Sequence, residues 1–135
     1  MKNILYISQS RLSHNLLRAL LPYLPEMVQL TCVDRLNEAL LLPKMGKPYQ
    51  LVIIDWNTLA GHNPLEPHIN DLNRHPLITK APKILIHSYN QEIPKEILTT
   101  KGFVAFYTKP FLTDELINIM VKWTKKQSDL FVELN

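Results

Sequence analysis

The sequence of 135 residues is poor in cysteine and glycine and has no long apolar segment, and each shortage excludes a class of protein. Cys32 is the single cysteine, so no disulfide framework and no thiolate metal site is expected, and a reducing cytoplasm fits. The 3 glycines leave no glycine-rich loop of the kind that cradles nucleotide phosphates. Apolar runs never reach about 18 residues, which excludes a membrane-spanning helix. The first residues, MKNILYISQSR, have too short an apolar core for a secretory signal.

The charge balance is also modest. The chain has 15 basic and 12 acidic residues, and much of the excess lies in KWTKK (Lys122 to Lys126), which we interpret as a solvated helix end. A nucleic-acid surface needs basic residues clustered on one face, so we expect no nucleic-acid binding. The 5 histidines show no helical ligand spacing, and we expect no metal cluster among them. A hydrophobic content of 46% is typical of a single globular domain.

Short apolar runs alternate with amphipathic stretches along the chain. The runs predict five strands: Ile4 to Ile7, Val28 to Val33, Leu51 to Ile54, Lys83 to His87, and Gly102 to Tyr107. The stretches predict five helices: Arg11 to about Leu21, one carrying Leu36, Ala39 and Leu40, about Glu66 to Arg74, Pro94 to Thr100, and Thr113 to Trp123. The first helix should bury a stripe containing Leu12, Leu16 and Leu20, and Asp34 should cap the second.

Most of these strands are apolar at every position, which is typical of strands covered on both faces. The alternation of strands and helices therefore predicts an α/β fold with a doubly wound, five-stranded parallel sheet. We place the domain at residues 1–126 and interpret residues 127–135 as a C-terminal tail.

Functional groups of open parallel sheets gather beyond the carboxyl ends of the strands. Asp55 is the one carboxylate that directly follows a predicted central strand, and Lys109 follows the last strand. The other polar or special residues at these ends are Ser8, Gln9, Trp56, Asn57, His87, Ser88, Thr108 and Pro110. Ser88 does not indicate a hydrolase, because no G-x-S-x-G turn surrounds it and its neighbour His87 points to the opposite face.

The strand-helix order, the segment IIDWN (Ile53 to Asn57) and the segment FYTKPF (Phe106 to Phe111) together resemble the receiver domains of bacterial response regulators. The most specific signal is KPF after an apolar strand, with its lysine 54 positions beyond Asp55. The resemblance covers about residues 2–126. It implies a flavodoxin-like (βα)5 fold with strand order 2-1-3-4-5, of the single-domain, chemotaxis-regulator-like kind.

The resemblance also implies roles for individual residues. Asp55 matches the phosphoacceptor, whose carboxylate attacks a phosphoryl group, and Lys109 matches the lysine that pairs with the phosphoryl oxygens. Asp55 and the backbone carbonyl of Asn57 match ligands of Mg²⁺. His87 stands where receivers have a threonine or serine that moves toward the phosphate, and Phe106 matches the aromatic switch residue.

Three departures surround this pocket. Ser8 and Gln9 replace the acidic pair that holds Mg²⁺ in receivers, His87 replaces a small hydroxyl, and Leu59 stands where a proline is usual. Mg²⁺ binds through carboxylates and phosphate oxygens, and phosphoryl transfer relies on the cation to neutralise charge. We therefore expect weak or absent Mg²⁺-dependent phosphorylation, and a carboxylate that forms a structural ion pair with Lys109.

The leading hypothesis is a degenerate receiver that signals by protein–protein interaction and is no enzyme, beyond at most self-phosphorylation and dephosphorylation at Asp55. Its partner is a histidine kinase or a target protein, with a possible homodimer through the face made by the fourth helix, fifth strand and fifth helix. The alternative is a working phosphoacceptor that receives phosphate from a histidine kinase and uses Mg²⁺. A third hypothesis, a small-molecule or nucleic-acid binding domain, requires an apolar pocket at the strand ends or a salt-sensitive nucleic-acid affinity. His87, by the simpler interpretation, is only a hydrogen-bonded strand-end residue.

Overall fold

The computed structural model describes the backbone of residues 1–134 and the side chains of residues 1–125. Within these residues five strands alternate with five α helices. The strands are β1 (Lys2–Ile7), β2 (Val28–Val33), β3 (Leu51–Asp55), β4 (Lys83–Ser88) and β5 (Phe103–Lys109). The helices are α1 (Arg11–Leu20), α2 (Leu36–Leu40), α3 (Glu66–Asn73), α4 (Lys95–Thr100) and α5 (Thr113–Leu134).

The sheet is parallel throughout and has the order β2-β1-β3-β4-β5, as predicted. β3 lies at its centre, and all five residues of β3 are buried. The direction in which successive strands are added reverses between β1 and β3, so the carboxyl end of β3 lies at the switch point where such sheets bind ligands. Asp55 is the last residue of β3.

Two apolar layers cover the sheet because successive side chains of a buried strand point to opposite faces. One layer includes Leu5, Ile54 and Leu85 with residues of α2, α3 and α4. The other includes Tyr6, Ile53 and residues of α1 and α5. The sheet core is thus a two-sided hydrophobic interior, the arrangement that the apolar strands predict.

The buried face of α1 differs from the predicted stripe. Leu12 is 81% exposed and Leu16 is 47% exposed, while His14, Leu17 and Leu20 are buried. His14 turns inward because its Nε2–H donates to the backbone carbonyl of Ser8 at 2.7 Å and its ring packs edge-on against Tyr6. A leucine pattern alone does not reveal a histidine whose polar atoms are satisfied inside.

The predicted cap of α2 is wrong. The helix begins after Arg35, which makes no side-chain capping bond. Asp34 instead accepts a hydrogen bond from the Arg11 guanidinium at 3.2 Å, and that ion pair ties the end of β2 to α1.

Helix α5 continues past the predicted end at Trp123 and reaches Leu134. The boundary at residue 126 stays a prediction, and the side chains of the predicted tail, 127–135, lie outside the described residues. Among the residues described, none of the helices combines the length and apolar character needed to cross a membrane.

A lysine occupies the core at the opposite end of the sheet. Lys83, the first residue of β4, is 1% exposed, and its Nζ donates to the carbonyls of Ile78 and Ala81, both at 3.1 Å. Gly102 precedes β5 with φ of 96°, a left-handed turn that glycine adopts without strain. No carboxylate among the described residues pairs with Lys83, and burial lowers its pKa to about 8.

Candidate functional site

Asp55 is a carboxylate buried at the centre of the sheet edge. Its exposed fraction is 2%. Strand pairing sets its surroundings: Ile54 lies beside Ile7 of β1, and Asp55 itself lies beside Ile86 of β4. The residues that end β1, β4 and β5 are therefore its neighbours.

The predicted ion pair is present. Lys109, two strands away, sends its Nζ to Oδ2 of Asp55 at 2.6 Å. The Asp55 side chain is 3% exposed and the Lys109 side chain 31%, so the pair is closed on the carboxylate side and open on the ammonium side. A charge-assisted hydrogen bond of this length is among the stronger contacts available to a side chain.

The remaining contacts of Asp55 come from neutral groups. The Ser8 hydroxyl donates to Oδ2 at 3.4 Å, and the backbone N–H of Asn57 donates to Oδ1 at 3.2 Å. Thr58 donates its hydroxyl to the Asp55 backbone carbonyl at 2.7 Å and fixes the turn after β3. Gln9 is exposed and brings no contact to the carboxylate. Both carboxylate oxygens therefore have donors from the chain itself.

These donors do not fit the Mg²⁺ that the receiver resemblance implies. Mg²⁺ prefers several hard oxygen ligands and holds them in a tight octahedron. At this edge there is one carboxylate among the described residues, already bound by an ammonium, and the hydroxyl oxygen of Ser8 accepts a hydrogen bond from the backbone N–H of Ser10 at 3.1 Å. In the part of the chain that the structure describes, no group of three or more His, Cys, Asp or Glu could hold a metal.

His87 and Phe106, the two predicted switch residues, lie on β4 and β5, and Phe106 packs on the α4 side of the sheet. His87 is buried, and because a carbonyl only accepts, its Nδ1–H donates to the Ser88 carbonyl at 2.9 Å. This contact agrees with the simpler interpretation of a hydrogen-bonded strand-end residue. Phe106 is half-buried against the core, with Nζ of Lys95 at 5.7 Å from its ring centroid. Their switching roles stay predictions.

Sequence reasoning missed Tyr6. The phenol lies two residues before Ser8 on β1, on the same face of the sheet, which strand alternation would have indicated. Burial raises its pKa; the hydroxyls of Ser8 and Ser13 act to lower it, the Asp55 charge adds to the rise, and the Lys109 charge opposes it. Tyr6 therefore belongs electrostatically to the same site.

Gln91 was also missed, and it connects two loops over the site. Its Nε2 donates to Oδ1 of Asn57 at 2.9 Å, and its Oε1 accepts from the backbone N–H of Ser88 at 2.8 Å. The loop after β4 is thereby tied to the turn that follows Asp55. No signal in the sequence indicates this contact, because it joins residues 34 positions apart through two irregular segments.

Comparison with known proteins gives structural matches only. No family model and no curated protein sequence matches the chain. A CheY-like receiver domain from Methanospirillum hungatei has a TM-score of 0.71 at 16% identity, covering 96% of this chain and 98% of the other. The receiver domain of the sensor histidine kinase PA1611 from Pseudomonas aeruginosa, solved with magnesium in its active-site cleft, has a TM-score of 0.69 at 17% identity, covering 91% and 97%.

A third match is a response regulator protein from Burkholderia pseudomallei, solved with a phosphorylated aspartic acid, a calcium ion and citrate. Its TM-score is 0.64 at 15% identity, with 98% of this chain and 75% of the other covered. The TM-scores of 0.71, 0.69 and 0.64 establish the shared architecture, whereas identities of 15% to 17% say nothing about the chemistry of the site in this chain. The chain has the flavodoxin-like fold of response-regulator receiver domains.

Proposed function

We propose that this chain is a signalling module that acts by binding partner proteins, with weak or no Mg²⁺-dependent phosphorylation at Asp55. One observation carries the proposal: among the described residues at this edge Asp55 is the single carboxylate, because Ser8 and Gln9, which follow β1, bring no second one. Attack on a phosphoryl group needs a carboxylate with free lone pairs and positive charge to offset the phosphoryl oxygens. Lys109 supplies one positive charge, and without a second carboxylate to hold Mg²⁺ the described residues at this edge offer little more to offset the phosphoryl oxygens.

The partner surface is the face formed by α4, β5 and α5, which extends to the edge of the sheet. Ile97 on α4 is 39% exposed and Val104 on β5 is 49% exposed. β5 is an edge strand, so apolar side chains there are available to another chain. We propose that a histidine kinase, a target protein or a second copy of the chain docks on this face in the cytoplasm.

Phosphorylation itself is tested with acetyl phosphate, a small phosphoryl donor, in the presence of Mg²⁺. The products are separated on a phosphate-binding gel, with Asp55→Asn as the unreactive reference. The proposal predicts no retarded band for the unaltered chain. A retarded band that disappears in Asp55→Asn contradicts it.

The second candidate is a phosphoacceptor that works with a histidine kinase. The Asp55–Lys109 contact favours it, because a receiver uses this pair of side chains to hold a phosphoryl group. Transfer from a phosphorylated histidine kinase, followed on the same gel, separates the two candidates. A retarded band that is lost in Asp55→Asn supports the second candidate. Absence of a retarded band with every phosphoryl donor supports the first.

A further inference from the structure

A cavity of about 270 Å³ lies beside the Asp55–Lys109 pair, between α1 and the segment that joins β5 to α5. Its apolar lining comes from Leu16, Leu17, Ile86, Phe111 and Leu116. Leu16 and Phe111 form the accessible rim, since Leu16 is half exposed and Phe111 is partly buried. The hypothesis of a small-molecule binding domain requires an apolar pocket at the strand ends, and this cavity meets that condition.

The polar side of the cavity is made by Lys109, Tyr6 and Ser13. The Lys109 ammonium has three N–H groups, and its contact with Asp55 uses one of them. Among the described residues the Lys109 ammonium makes no other hydrogen bond, and Lys109 lines the cavity, so two N–H donors are available there. A ligand group that binds there must accept hydrogen bonds from these N–H donors.

The charge of the site selects between two kinds of acceptor. Asp55 already neutralises Lys109, so a ligand carboxylate at this wall would place a second negative charge close to the buried first one. A carbonyl oxygen accepts the same hydrogen bonds without that repulsion. The site therefore favours an uncharged acceptor over an anion.

The volume limits the ligand to a small molecule. An engineered apolar cavity of about 150 Å³ holds benzene, so this one accommodates an aromatic ring with a short chain. We propose that the cavity is a binding site for a small uncharged molecule with an apolar body and a carbonyl-type acceptor, which Lys109 orients. This site uses the Asp55–Lys109 pair in its unphosphorylated form, so it does not require that Asp55 accept phosphate.

The probe is 4-phenyl-2-butanone, compared with 3-phenylpropionate, which replaces the ketone methyl by a carboxylate oxygen of similar size. Titration is followed by the amide and methyl NMR signals of the chain. We expect saturable shifts at residues that line the cavity, and binding of the carboxylate at least about tenfold weaker. Absence of saturable shifts with the ketone, or equal binding of both probes, overturns the proposal.

Two variants of α1 locate the site. Leu16→Trp fills the cavity and should abolish the shifts, while Leu12→Trp, one turn earlier and outside the lining, should leave them unchanged. Loss of binding in both variants contradicts the assignment. If Leu16→Trp gives the spectrum of an unfolded chain, Ser13→Phe closes the same cavity from the half-buried side of the helix.

A charge variant tests the role assigned to Lys109. Asp55→Asn keeps the shape of the side chain but leaves the Lys109 charge uncompensated, so the preference should reverse and 3-phenylpropionate should bind about tenfold more tightly than the ketone. An unchanged preference means that Lys109 does not recognise the ligand, and overturns this part of the proposal.

Discussion

At the scale of single residues, Asp55 depends on Lys109 because the carboxylate is almost completely buried. Removal of the ammonium leaves a buried negative charge that, among the described residues, is bound by one hydroxyl and one backbone N–H. We therefore expect Lys109→Met to lower the free energy of unfolding by about 2 kcal/mol, since one partner of a largely buried pair is lost. Urea denaturation followed by circular dichroism measures the change.

The double variant Asp55→Asn, Lys109→Met serves as the control. It removes both charges and keeps both side-chain shapes, so more than half of the lost stability should return. Equal stability of the single and double variants would contradict a buried ion pair.

Lys83 gives a second prediction, on the dependence of stability on pH. Burial lowers its pKa from 10.5 to about 8. Between these values the unfolded chain binds the proton and the folded chain releases it, so stability rises with pH across this window. Below about pH 8 both states are protonated and the cost of the buried charge is present in full. The rise amounts to about 3 kcal/mol.

The measurement compares urea denaturation of the unaltered chain and Lys83→Met from about pH 7 to pH 10. Burial also raises the pKa of Tyr6 and Cys32, and these groups lower stability as the pH rises. Both chains share that decline, so the difference between them isolates Lys83. Parallel curves for the two chains would show that Lys83 is not desolvated.

At the scale of elements, the sequence predicted strands better than helix surfaces. Apolar runs such as Leu51 to Ile54 are covered on both faces, and any register that buries them gives the same strand. The prediction of the buried face of α1 was wrong because His14 turns inward and donates to the backbone carbonyl of Ser8, which lies before the helix. The predicted cap of α2 was wrong because the Asp34 carboxylate instead accepts a hydrogen bond from Arg11, which lies 23 positions away in the sequence.

The site shows the same division. Asp55 and Lys109 were predictable because each lies at the end of a strand, and the carboxyl ends of parallel strands meet at one edge. Tyr6 follows from strand alternation once Ser8 is placed. Gln91 lies in a loop whose path depends on tertiary contacts, so its bonds to Asn57 and Ser88 were beyond prediction.

The contacts of Gln91 predict a local effect on the loop after β4. Gln91→Ala removes the acceptor of the Ser88 amide and the tie to Asn57. Amide exchange at Ser88 should become about five- to tenfold faster, since one hydrogen bond contributes about 1 kcal/mol. Hydrogen exchange followed by NMR measures this rate.

Gln9→Ala is the matched control, because Gln9 is an exposed glutamine at the end of β1. Exchange at Ser88 should not change in that variant. Unchanged exchange in Gln91→Ala would mean that the loop is held by other contacts.

At the scale of the whole molecule, the proposed ligand cavity and the proposed docking face lie in different places on the sheet. The cavity lies on the side of α1 and α5, and the proposed docking face follows the outer edge at α4, β5 and α5. A charge at the centre of that face should oppose association. We expect Val104→Glu to shift any self-association, measured by sedimentation equilibrium, to at least about tenfold higher concentration.

Leu41→Glu is the control, because Leu41 is as apolar and more exposed but follows α2, away from β5. Its association should equal that of the unaltered chain. Equal effects of the two variants would indicate general surface hydrophobicity, and not a defined face.

We propose that Asp55 is paired with Lys109 but has no Mg²⁺ site. A Mg²⁺ titration in the presence of fluoroberyllate, a mimic of the phosphoryl group, tests this proposal most directly. The fluorescence of Trp56, which follows Asp55, reports binding, and Trp56→Phe identifies its share of the signal. The unaltered chain should show no saturable change up to about 10 mM Mg²⁺, while Ser8→Asp, Gln9→Asp, which restores two carboxylates, should show one. A saturable response of the unaltered chain at physiological Mg²⁺ would contradict the account.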